Sequence, residues 1–428
     1  MRLLSIFLLC GTFLLSAQVS RRQMLDNPDK CGGIYYAYPE PSVSSADVAP
    51  PEGFEPFYIS HYGRHGSRYL ISESDYSRVI DLLEMAQTEN NLTPLGEDFL
   101  RRMRIIFEEA RGREGELTPL GNRQHHDIAN RMYHAYPQVF TDEAEITAQS
   151  TQVMRCAHSM FAFTEALKEN NPRLVIPRES SRRNMDFLCW WTQESADFNS
   201  PDGPTKDKIS AYRKAKTNPD RLIRALFKSD EFVARHVDPS EFMWWVYWVA
   251  VDLQNMETDL RLTDIILPEE LFDLWQVFNF DFYTHNSSYP ESNGVHVNNA
   301  THLLKNFIDK ADEYITGNKK GATLRFGHDG NVTPFVALMQ FDRCYGEESN
   351  PDSLLNVWND FYVSPMAANI QMIFLRNNDN EVIVKLLHNE NPVSVNLKSD
   401  IFPYYRWNEL KAYFEERLRK PYSQFMQK

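Results

Sequence analysis

The stretch FYISHYGRHGSRYL, residues 57–70, joins a short apolar run to a cluster of basic side chains. The run PFYIS, residues 56–60, has the aromatic and β-branched composition of a buried strand. Arg64, His65 and Arg68 follow this run closely. In α/β folds, ligands bind beyond the carboxyl ends of the strands. The stretch therefore predicts a ligand site at the edge of an α/β sheet.

The basic cluster has the chemistry of a phosphate site. We expect the strand to end near Ser60 and a helix to begin soon afterwards, so that the basic side chains converge. Guanidinium groups of Arg64 and Arg68 suit phosphate because they are planar, permanently charged and bidentate. A histidine between them is a poor place for a further cation, so we interpret His65 as a neutral nucleophile that attacks phosphorus. Gly66 is expected to let the backbone approach the ligand. The alternative is that both arginines form surface ion pairs and the histidine only packs.

Size and charge narrow the classes of function. The chain has 428 residues, of which 42% are hydrophobic, and this is enough for one large domain or a domain with an insertion. Its formal net charge is −14, which argues against non-specific binding of nucleic acid. A basic cluster therefore stands out from an acidic background.

The N-terminal segment MRLLSIFLLCGTFLLSAQVS is typical of a secretory signal. Arg2 precedes an apolar run at 3–15, and small residues near Ala17 suit cleavage, so we predict a signal peptide at 1–17. Lipidation of Cys10 is the alternative, although the residues before it are not small. The run is too short to span a membrane comfortably, and no later segment is long enough. We therefore expect an exported protein, periplasmic or secreted.

Four cysteines remain after the predicted signal: Cys31, Cys156, Cys189 and Cys344. In an oxidising compartment they can form two disulfides. Free buried thiols are an equally good interpretation in a chain of this size. The absence of CxxC spacing argues against zinc, and we expect no metal.

Strand and helix patterns alternate through the first third of the chain. Residues 56–60 and 145–150 have the composition of strands, whereas 97–111, 117–137 and 150–170 have helical spacing. This alternation predicts an α/β fold with a mostly parallel sheet flanked by helices.

The pattern changes between residues 178 and 317. Trp- and Phe-rich segments with helical periods follow one another there, and we interpret 178–317 as a mainly α-helical insert, or cap, domain. The α/β core then comprises 18–177 and 318–428. Within it, 322–330 is expected to be a strand followed by a turn, and 370–395 two strands joined by the turn NNDNE.

Two further segments supply groups that a histidine nucleophile needs, and both follow predicted strands. STQVMRCAHSM carries Arg155, a further donor for the phosphate oxygens. FGHDGN carries His328, a second donor, and Asp329, a general acid if a nearby phosphate raises its pKa. Taken alone, each segment has a plain alternative, namely a surface arginine and a polar turn or helix cap.

Together, the motifs RHGSR, LTPLGNRQHHDIANRMYHAYP, STQVMRCAHSM and GHDGNVTPFVALM resemble the histidine acid phosphatases, which include the phytases. The resemblance covers roughly residues 54–395 and implies the histidine phosphatase fold with no metal and no cofactor. It implies that His65 is the phosphorylated histidine and Asp329 the proton donor. It places the following residues in the phosphate pocket: Arg64, Arg68, Arg155 and His328.

A finer resemblance is to the multiple inositol polyphosphate phosphatases, carried by LRFGHDGNVTPFVALM, VSPMAANIQMIFLR and VIVKLLHNENPVSV. That branch usually has His-Ala-Glu where this chain has His328, Asp329 and Gly330. Because glycine has no side chain, proton donation falls to the aspartate. Tyr69-Leu70 also departs from the proline that often follows the motif in relatives.

Basic clusters in the insert are candidates for substrate specificity. Arg182 and Arg183 are the preferred candidates, together with Lys214 in the segment TKDKISAYRKAK. In an acidic protein they can form a funnel for a polyanion. A solvated helix face with ordinary ion pairs is the alternative, and the sequence does not decide between them.

The leading hypothesis is an exported phosphomonoesterase with a phosphohistidine intermediate. Its expected partner is a phosphorylated small molecule, with inositol phosphates such as phytate first, and nucleic acid is not expected. A broad acid phosphatase and a phosphoglycerate or sugar phosphatase are the alternatives. A catalytically silent protein that binds a phosphorylated ligand, and a phosphomutase, are further hypotheses.

Overall fold

The structure of the protein is a computed structural model, and it describes residues 21–41 and 49–420. The predicted signal peptide at 1–17, including Cys10, lies outside the described residues. In the part of the chain that is described, no helix is long and apolar enough to cross a membrane.

A mixed sheet forms the centre of the molecule. Its strands are β1 (Glu55–Arg64), β2 (Glu145–Ser150), β3 (Arg178–Glu179), β4 (Gly321–Gly327), β5 (Asn369–Arg376), β6 (Val382–His388), β7 (Asn391–Pro392) and β8 (Tyr404–Arg406). They lie in the order β3-β2-β4-β1-β5-β6-β7, and β8 pairs with β6. The strands β3, β2, β4 and β1 are mutually parallel, and the remaining pairs are antiparallel. The predicted α/β class is confirmed, with the parallel part confined to the core strands.

Helices account for most of the rest. The α-helices are α1 (Ser74–Thr88), α2 (Pro94–Ala110), α3 (Pro119–Ala135), α4 (Met154–Asn170), α5 (Met185–Leu188), α6 (Gln193–Phe198), α7 (Lys206–Lys216), α8 (Asp220–Leu226), α9 (Asp230–His236), α10 (Pro239–Asp252), α11 (Pro268–Asn286), α12 (Val295–Asn298), α13 (Thr301–Thr316), α14 (Asp329–Met339), α15 (Pro351–Leu354), α16 (Asp360–Val363) and α17 (Trp407–Arg419). The 3₁₀ helices are Pro28–Tyr35, Pro137–Val139, Arg182–Asn184, Leu253–Asn255 and Pro290–Ser292.

Local sequence explains where the helices of the core begin. Helix α3 follows Thr118, whose side chain accepts a hydrogen bond from the Gly121 amide, and a proline occupies the first turn. Helix α2 begins in the same way after Thr93. Both helices agree with the sequence-based expectation, because capping residues and apolar periodicity are local signals.

The two faces of the sheet carry different helices. Side chains of α3 and α4 such as Ile128 and Phe163 pack with Ile59 and Leu324 of the sheet in one apolar cluster. On the other face, helices α13, α14 and α17 contribute to a larger cluster, with Phe307, Phe335 and Phe414 buried against Tyr58 and Phe374. Each such side chain, fully buried, contributes roughly 1.5–3 kcal/mol to folding. The alternation of residues 58 and 59 between the two clusters follows from the twofold period of a strand.

The segment predicted as an insert is helical from α5 to α13, but it begins with β3. That strand pairs in parallel with β2, so the sheet extends two residues into the segment, Arg178 and Glu179. The apolar run of α10 buries Met243, Tyr247 and Val251. This helix packs on α1, which follows β1 in the chain, and on the 3₁₀ helix Pro28–Tyr35, which precedes β1. The division into a core and a cap domain stays a prediction.

Three local expectations were wrong. Strand β1 continues to Arg64 instead of ending near Ser60, and α1 begins only at Ser74. The strand is longer because β4 and β5 flank it on both sides and supply backbone partners as far as Arg64 and Gly63. After β4, the chain enters α14 at Asp329 directly, without the expected turn. The expected hairpin of β5 and β6 is confirmed.

The four described cysteines are free thiols: Cys31, Cys156, Cys189 and Cys344. All but Cys189 are buried. Of the two interpretations that the sequence left open, the structure shows the free thiols.

Candidate active site

The ends of three parallel strands bring the predicted motifs to one edge of the sheet. In the register of β1 and β4, Arg64 lies opposite Gly327, and in that of β2 and β4, Ser150 lies opposite Phe326. The His65 amide donates a hydrogen bond to the Gly327 carbonyl, at 2.9 Å. The loop after β1, the start of α14 and the start of α4 therefore meet at the carboxyl ends of the strands.

His65 is held as a neutral imidazole with one free nitrogen. Its Nδ1 lies 2.9 Å from the Gly66 carbonyl oxygen, which can only accept, so Nδ1 carries the proton. The side chain is buried, with 2% exposed. Burial, and then the charges of Arg64 and Arg155, hold the pKa of His65 well below its ordinary value. The lone pair of Nε2 is therefore available to attack an electrophile.

Arg64 is fully buried and is fixed by backbone oxygens. Its Nη1 donates to the carbonyls of Ile34 and Ser364, at 2.6 and 2.7 Å. Its Nη2 lies 2.7 Å from Oδ2 of Asp329 in an ion pair. The guanidinium is thus aimed by neutral acceptors on one side and meets the proposed acid on the other.

Arg68 is held by an aromatic residue from the N-terminal region. Its Nη2 donates to the Tyr35 hydroxyl at 3.1 Å, and the guanidinium carbon lies 4.8 Å from the centre of the Tyr35 ring. Its Nη1 donates to the Tyr69 carbonyl at 2.9 Å. Within the described chain, the buried Nε has no acceptor. This donor can bind an anion without losing an existing partner.

Arg155 and His328 complete a cluster of donors. Arg155 stands in the first turn of α4, is half-buried, and donates from Nη1 to the Gly115 carbonyl at 3.4 Å. His328 caps α14, and its ring centre lies 5.7 Å from that of His65. Burial lowers the pKa of His328 to about 4, with the charge of Asp329 acting in the opposite direction. At neutral pH the imidazole is uncharged and can donate one hydrogen bond to an anion.

Positive charges surround the carboxyl group of Asp329 and stabilise its ionised form. Burial alone raises the pKa of its carboxyl, but the charges of Arg64, His328 and Arg68 outweigh burial, and the pKa falls below the ordinary value. The side chain is 24% exposed, and the Gly330 amide donates to Oδ1 at 2.8 Å. A dianion bound beside Arg64 would neutralise the charge that lowers this pKa, and the carboxyl would then take up a proton.

Gly66 has a packing role that was not expected. A Cβ atom on Gly66 would lie 2.4 Å from the Gly121 carbonyl oxygen, and one on Gly121 would lie 2.2 Å from the Ser67 carbonyl oxygen. The glycine therefore allows the loop after β1 to contact the start of α3. Its expected close approach to a ligand stays a prediction.

Several residues that hold the loop were not identified from the sequence. Ser67 receives a hydrogen bond at Oγ from Gln124 Nε2, at 2.9 Å, and donates from Oγ to Asn255 Oδ1, at 2.7 Å. The Ser67 amide donates to Gln124 Oε1 at 2.8 Å, and the Gly66 amide donates to Ser159 Oγ at 3.1 Å. No local pattern marks these polar residues, since each is an ordinary helix or loop residue in the sequence.

The basic residues predicted to determine specificity lie on different elements of the fold. Arg182 and Arg183 follow β3, whose carboxyl end lies at the same edge as those of β2 and β4, and both are exposed. Arg183 is paired with Glu179 at 2.9 Å. Lys214 lies on α7, which packs on α11. The two arginines share the edge of the site, and a role for Lys214 in substrate binding stays a prediction.

Solved structures with the same fold have named activities. Similar structures include a multiple inositol polyphosphate phosphatase from Bifidobacterium longum in complex with inositol hexasulfate, with a TM-score of 0.75, 19% identity, and coverage of 89% of this chain and 97% of that chain. They also include the phytase from D. castellii, with a TM-score of 0.65, 15% identity, and coverage of 91% and 85%. No family model matches the sequence, and no curated protein matches it. The chain has the fold of the histidine acid phosphatases, as its motifs predicted.

Proposed function

We propose that the protein is a phosphomonoesterase that works through a phosphohistidine at His65. The observation that carries this proposal is the neutral imidazole of His65, with its Nε2 lone pair free, among three guanidinium groups at a sheet edge. Such a cluster attracts a phosphate dianion and stabilises the charge of an in-line transfer. The fold shared with named phosphatases supports the same chemistry.

The first step transfers the phosphoryl group to the protein. Nε2 of His65 attacks phosphorus, the bond from phosphorus to the ester oxygen breaks, and Asp329 gives that oxygen a proton. Arg64, Arg68 and Arg155 hold the equatorial oxygens, and His328 donates a further hydrogen bond. The alcohol leaves, and His65 carries the phosphoryl group.

The second step releases phosphate. A water molecule attacks the phosphohistidine and gives a proton to the carboxylate of Asp329, and the bond from phosphorus to nitrogen breaks. His65 returns to the neutral imidazole, and Asp329 holds the proton until phosphate leaves and the next ester binds. Both roles of Asp329 require a pKa that the bound phosphate raises, because Arg64 lowers it in the free protein.

Inositol polyphosphates, phytate first, are the substrates we propose. The phosphatase from Bifidobacterium longum was crystallised with inositol hexasulfate and with phosphate. The exposed arginines at the same edge, Arg182 and Arg183, are suited to further phosphate groups on a polyanion. Export to the periplasm or the medium is part of this proposal and rests on the N-terminal sequence.

Phosphate release from inositol hexakisphosphate, with products separated by chromatography, tests the proposal in wild type and in His65→Ala. We expect a series of lower inositol phosphates from wild type and none from the variant. Hydrolysis of an aryl phosphate but not of inositol hexakisphosphate would retain the chemistry and reject the substrate. No release from either ester, and no acid-labile phosphohistidine after rapid quenching, would favour the silent binding protein.

A further inference from the structure

A short loop from the helical segment covers one side of the site. The tryptophan loop, Cys189–Thr192, connects α5 and α6. Asn331 of α14 donates from Nδ2 to the carbonyls of Leu188 and Cys189, at 3.2 and 3.3 Å. Asn299 donates from Nδ2 to the Trp190 carbonyl at 3.4 Å. The loop is therefore tied to the same helix that carries Asp329.

Trp190 contacts the residues on both sides of Asp329. The centre of its ring system lies 4.4 Å from that of His328, with the planes tilted by 57°. A Cβ atom on Gly330 would lie 3.2 Å from Trp190 Cδ1 and 3.3 Å from its Cβ. The side chain is half-buried, whereas the neighbouring Trp191 is 51% exposed. The indole thus forms an apolar surface against both residues that flank Asp329.

Asp329 lies between the guanidinium of Arg64 and the residues that Trp190 covers. The phosphate and the alcohol of a bound ester must therefore lie on different sides of Asp329. On one side Arg64 Nη2 lies 2.7 Å from the carboxylate, and this side belongs to the phosphate. The ester oxygen that receives the proton must lie within hydrogen-bond reach of Asp329. The alcohol attached to that oxygen must then extend away from the guanidinium groups, and Trp190 is the aromatic side chain packed on the residues that flank Asp329.

We propose that Trp190 is a specificity-determining residue that contacts the leaving alcohol and favours cyclic polyol phosphates over acyclic ones. The C–H face of a cyclic polyol can pack flat on an indole, whereas a short acyclic chain covers little of it. The indole N–H has no acceptor among the described residues and is free to donate to a hydroxyl or phosphate oxygen of such a ring. The inference rests on the proposed function, since it assigns the leaving-group side of that same site.

The test compares two monoesters of equal charge, myo-inositol monophosphate and glycerol phosphate. The full-length protein is measured as wild type, Trp190→Ala, Trp190→Leu and Trp191→Ala, with circular dichroism to check folding. We expect Trp190→Ala to lower kcat/KM for the cyclic ester about tenfold more than for the acyclic ester. Trp190→Leu keeps an apolar side chain against His328 but no flat face, so it should show the same selective loss. Trp191→Ala is the matched control, and its ratio of the two kcat/KM values should equal that of wild type.

Four results would overturn the inference. An equal loss for both esters in the Trp190 variants would show that the indole only holds His328 in place. A selective loss of the same size in Trp191→Ala would assign the contact to the exposed ring. If Trp190→Ala does not fold, Trp190→Leu decides, and an unchanged ratio in it rejects the inference. If wild type hydrolyses neither of these esters nor an aryl phosphate, the proposed function fails and the inference fails with it, whereas turnover with an unchanged ratio rejects the inference alone.

Discussion

Two groups of basic side chains in this protein have opposite surroundings. The arginines of the site are buried or half-buried, and Asp329 is the one carboxylate that the described structure pairs with any of them. The basic residues of α7 are each beside a separate carboxylate, except Lys214. The pairs are Lys206–Asp202, Lys208–Glu291, Arg213–Glu241 and Lys216–Asp352, at 2.7, 2.8, 2.8 and 3.0 Å.

The comparison shows that a binding site for an anion is marked by positive charge that carboxylates do not fully compensate, and not by a cluster of cations alone. With a net charge of −14, the surface supplies a carboxylate for almost any exposed cation, and such pairs contribute about 0–1 kcal/mol. In the site, backbone carbonyls and an aromatic ring hold the guanidinium groups, and among the described residues Asp329 is the single carboxylate paired with the three positive charges. Burial and, to a smaller extent, the charges of Arg68 and Arg155 lower the pKa of Arg64, whereas the charge of Asp329 acts in the opposite direction. A bound anion relieves this repulsion.

The largest effect should come from the nucleophile. We expect His65→Ala to reduce kcat at least about 10⁴-fold, because removing a covalent nucleophile removes the reaction path itself. Thermal unfolding should change little by comparison. His126→Ala is the control, since that histidine is partly exposed and pairs with Glu169 on the surface. A His65→Ala variant with wild-type turnover would contradict the role of the site.

The proton donor should give a smaller loss that depends on the leaving group. Asp329→Asn should lower kcat about 10²- to 10⁴-fold for an alkyl phosphate, because an alkoxide leaves poorly without a proton. For an aryl phosphate with an acidic phenol the loss should be much smaller. Stopped-flow measurement of both esters checks this, and equal losses would show that the residue does not donate the proton.

Anion binding by the positively charged side chains of the site can be measured without turnover. Inorganic phosphate should raise the unfolding temperature of wild type, since a ligand at about 100 times its Kd contributes about 2.7 kcal/mol. Arg155→Ala should weaken this stabilisation, whereas Lys214→Ala, which removes an exposed cation, should not. Equal shifts in the two variants would remove the distinction between the two regions.

As the pH is lowered, the buried region around His125 should lose stability at a higher pH than the exposed ion pairs of α7 break. His125 lies beneath the loop after β1, between the rings of Phe163 and Phe326 and near His61, and burial lowers its pKa to about 3. The unfolded chain protonates this histidine near pH 6.5, so stability falls as the pH drops from about 6.5 towards 3. His125→Phe should unfold at lower pH than wild type in an acid titration followed by circular dichroism. An unchanged midpoint would show that other groups control acid unfolding.

The smallest effect should come from α7. The triple substitution Lys206→Ser, Lys208→Ser and Lys214→Ser should change kcat/KM for inositol hexakisphosphate less than about threefold, because surface charges away from the reacting groups affect mainly long-range attraction. The double substitution Arg182→Ser and Arg183→Ser should cost more, as these residues share the edge of the site. A tenfold loss of kcat/KM in the α7 variant would support the interpretation of these residues as a funnel for a polyanion, which the sequence left open.

The sequence by itself determined that a strand leads into the basic motif and which groups are candidates for the chemistry. RHGSR and the His328-Asp329 pair are recognisable because each depends on residue types and spacing within a few positions. The α/β alternation and the starts of α2 and α3 were likewise local, since periodicity and N-terminal capping are local signals.

Only the tertiary structure decided which charges are free and what surrounds them. Ser67 bonds to Asn255, 188 residues away, and Gly66 meets the backbone of Gly121, although no pattern in the sequence connects these positions. The same holds for Trp190, which covers Gly330, and for the carboxylates that neutralise α7. Packing between distant segments sets these contacts, because hydrogen bonds and ion pairs depend on positions in space that spacing along the chain does not specify.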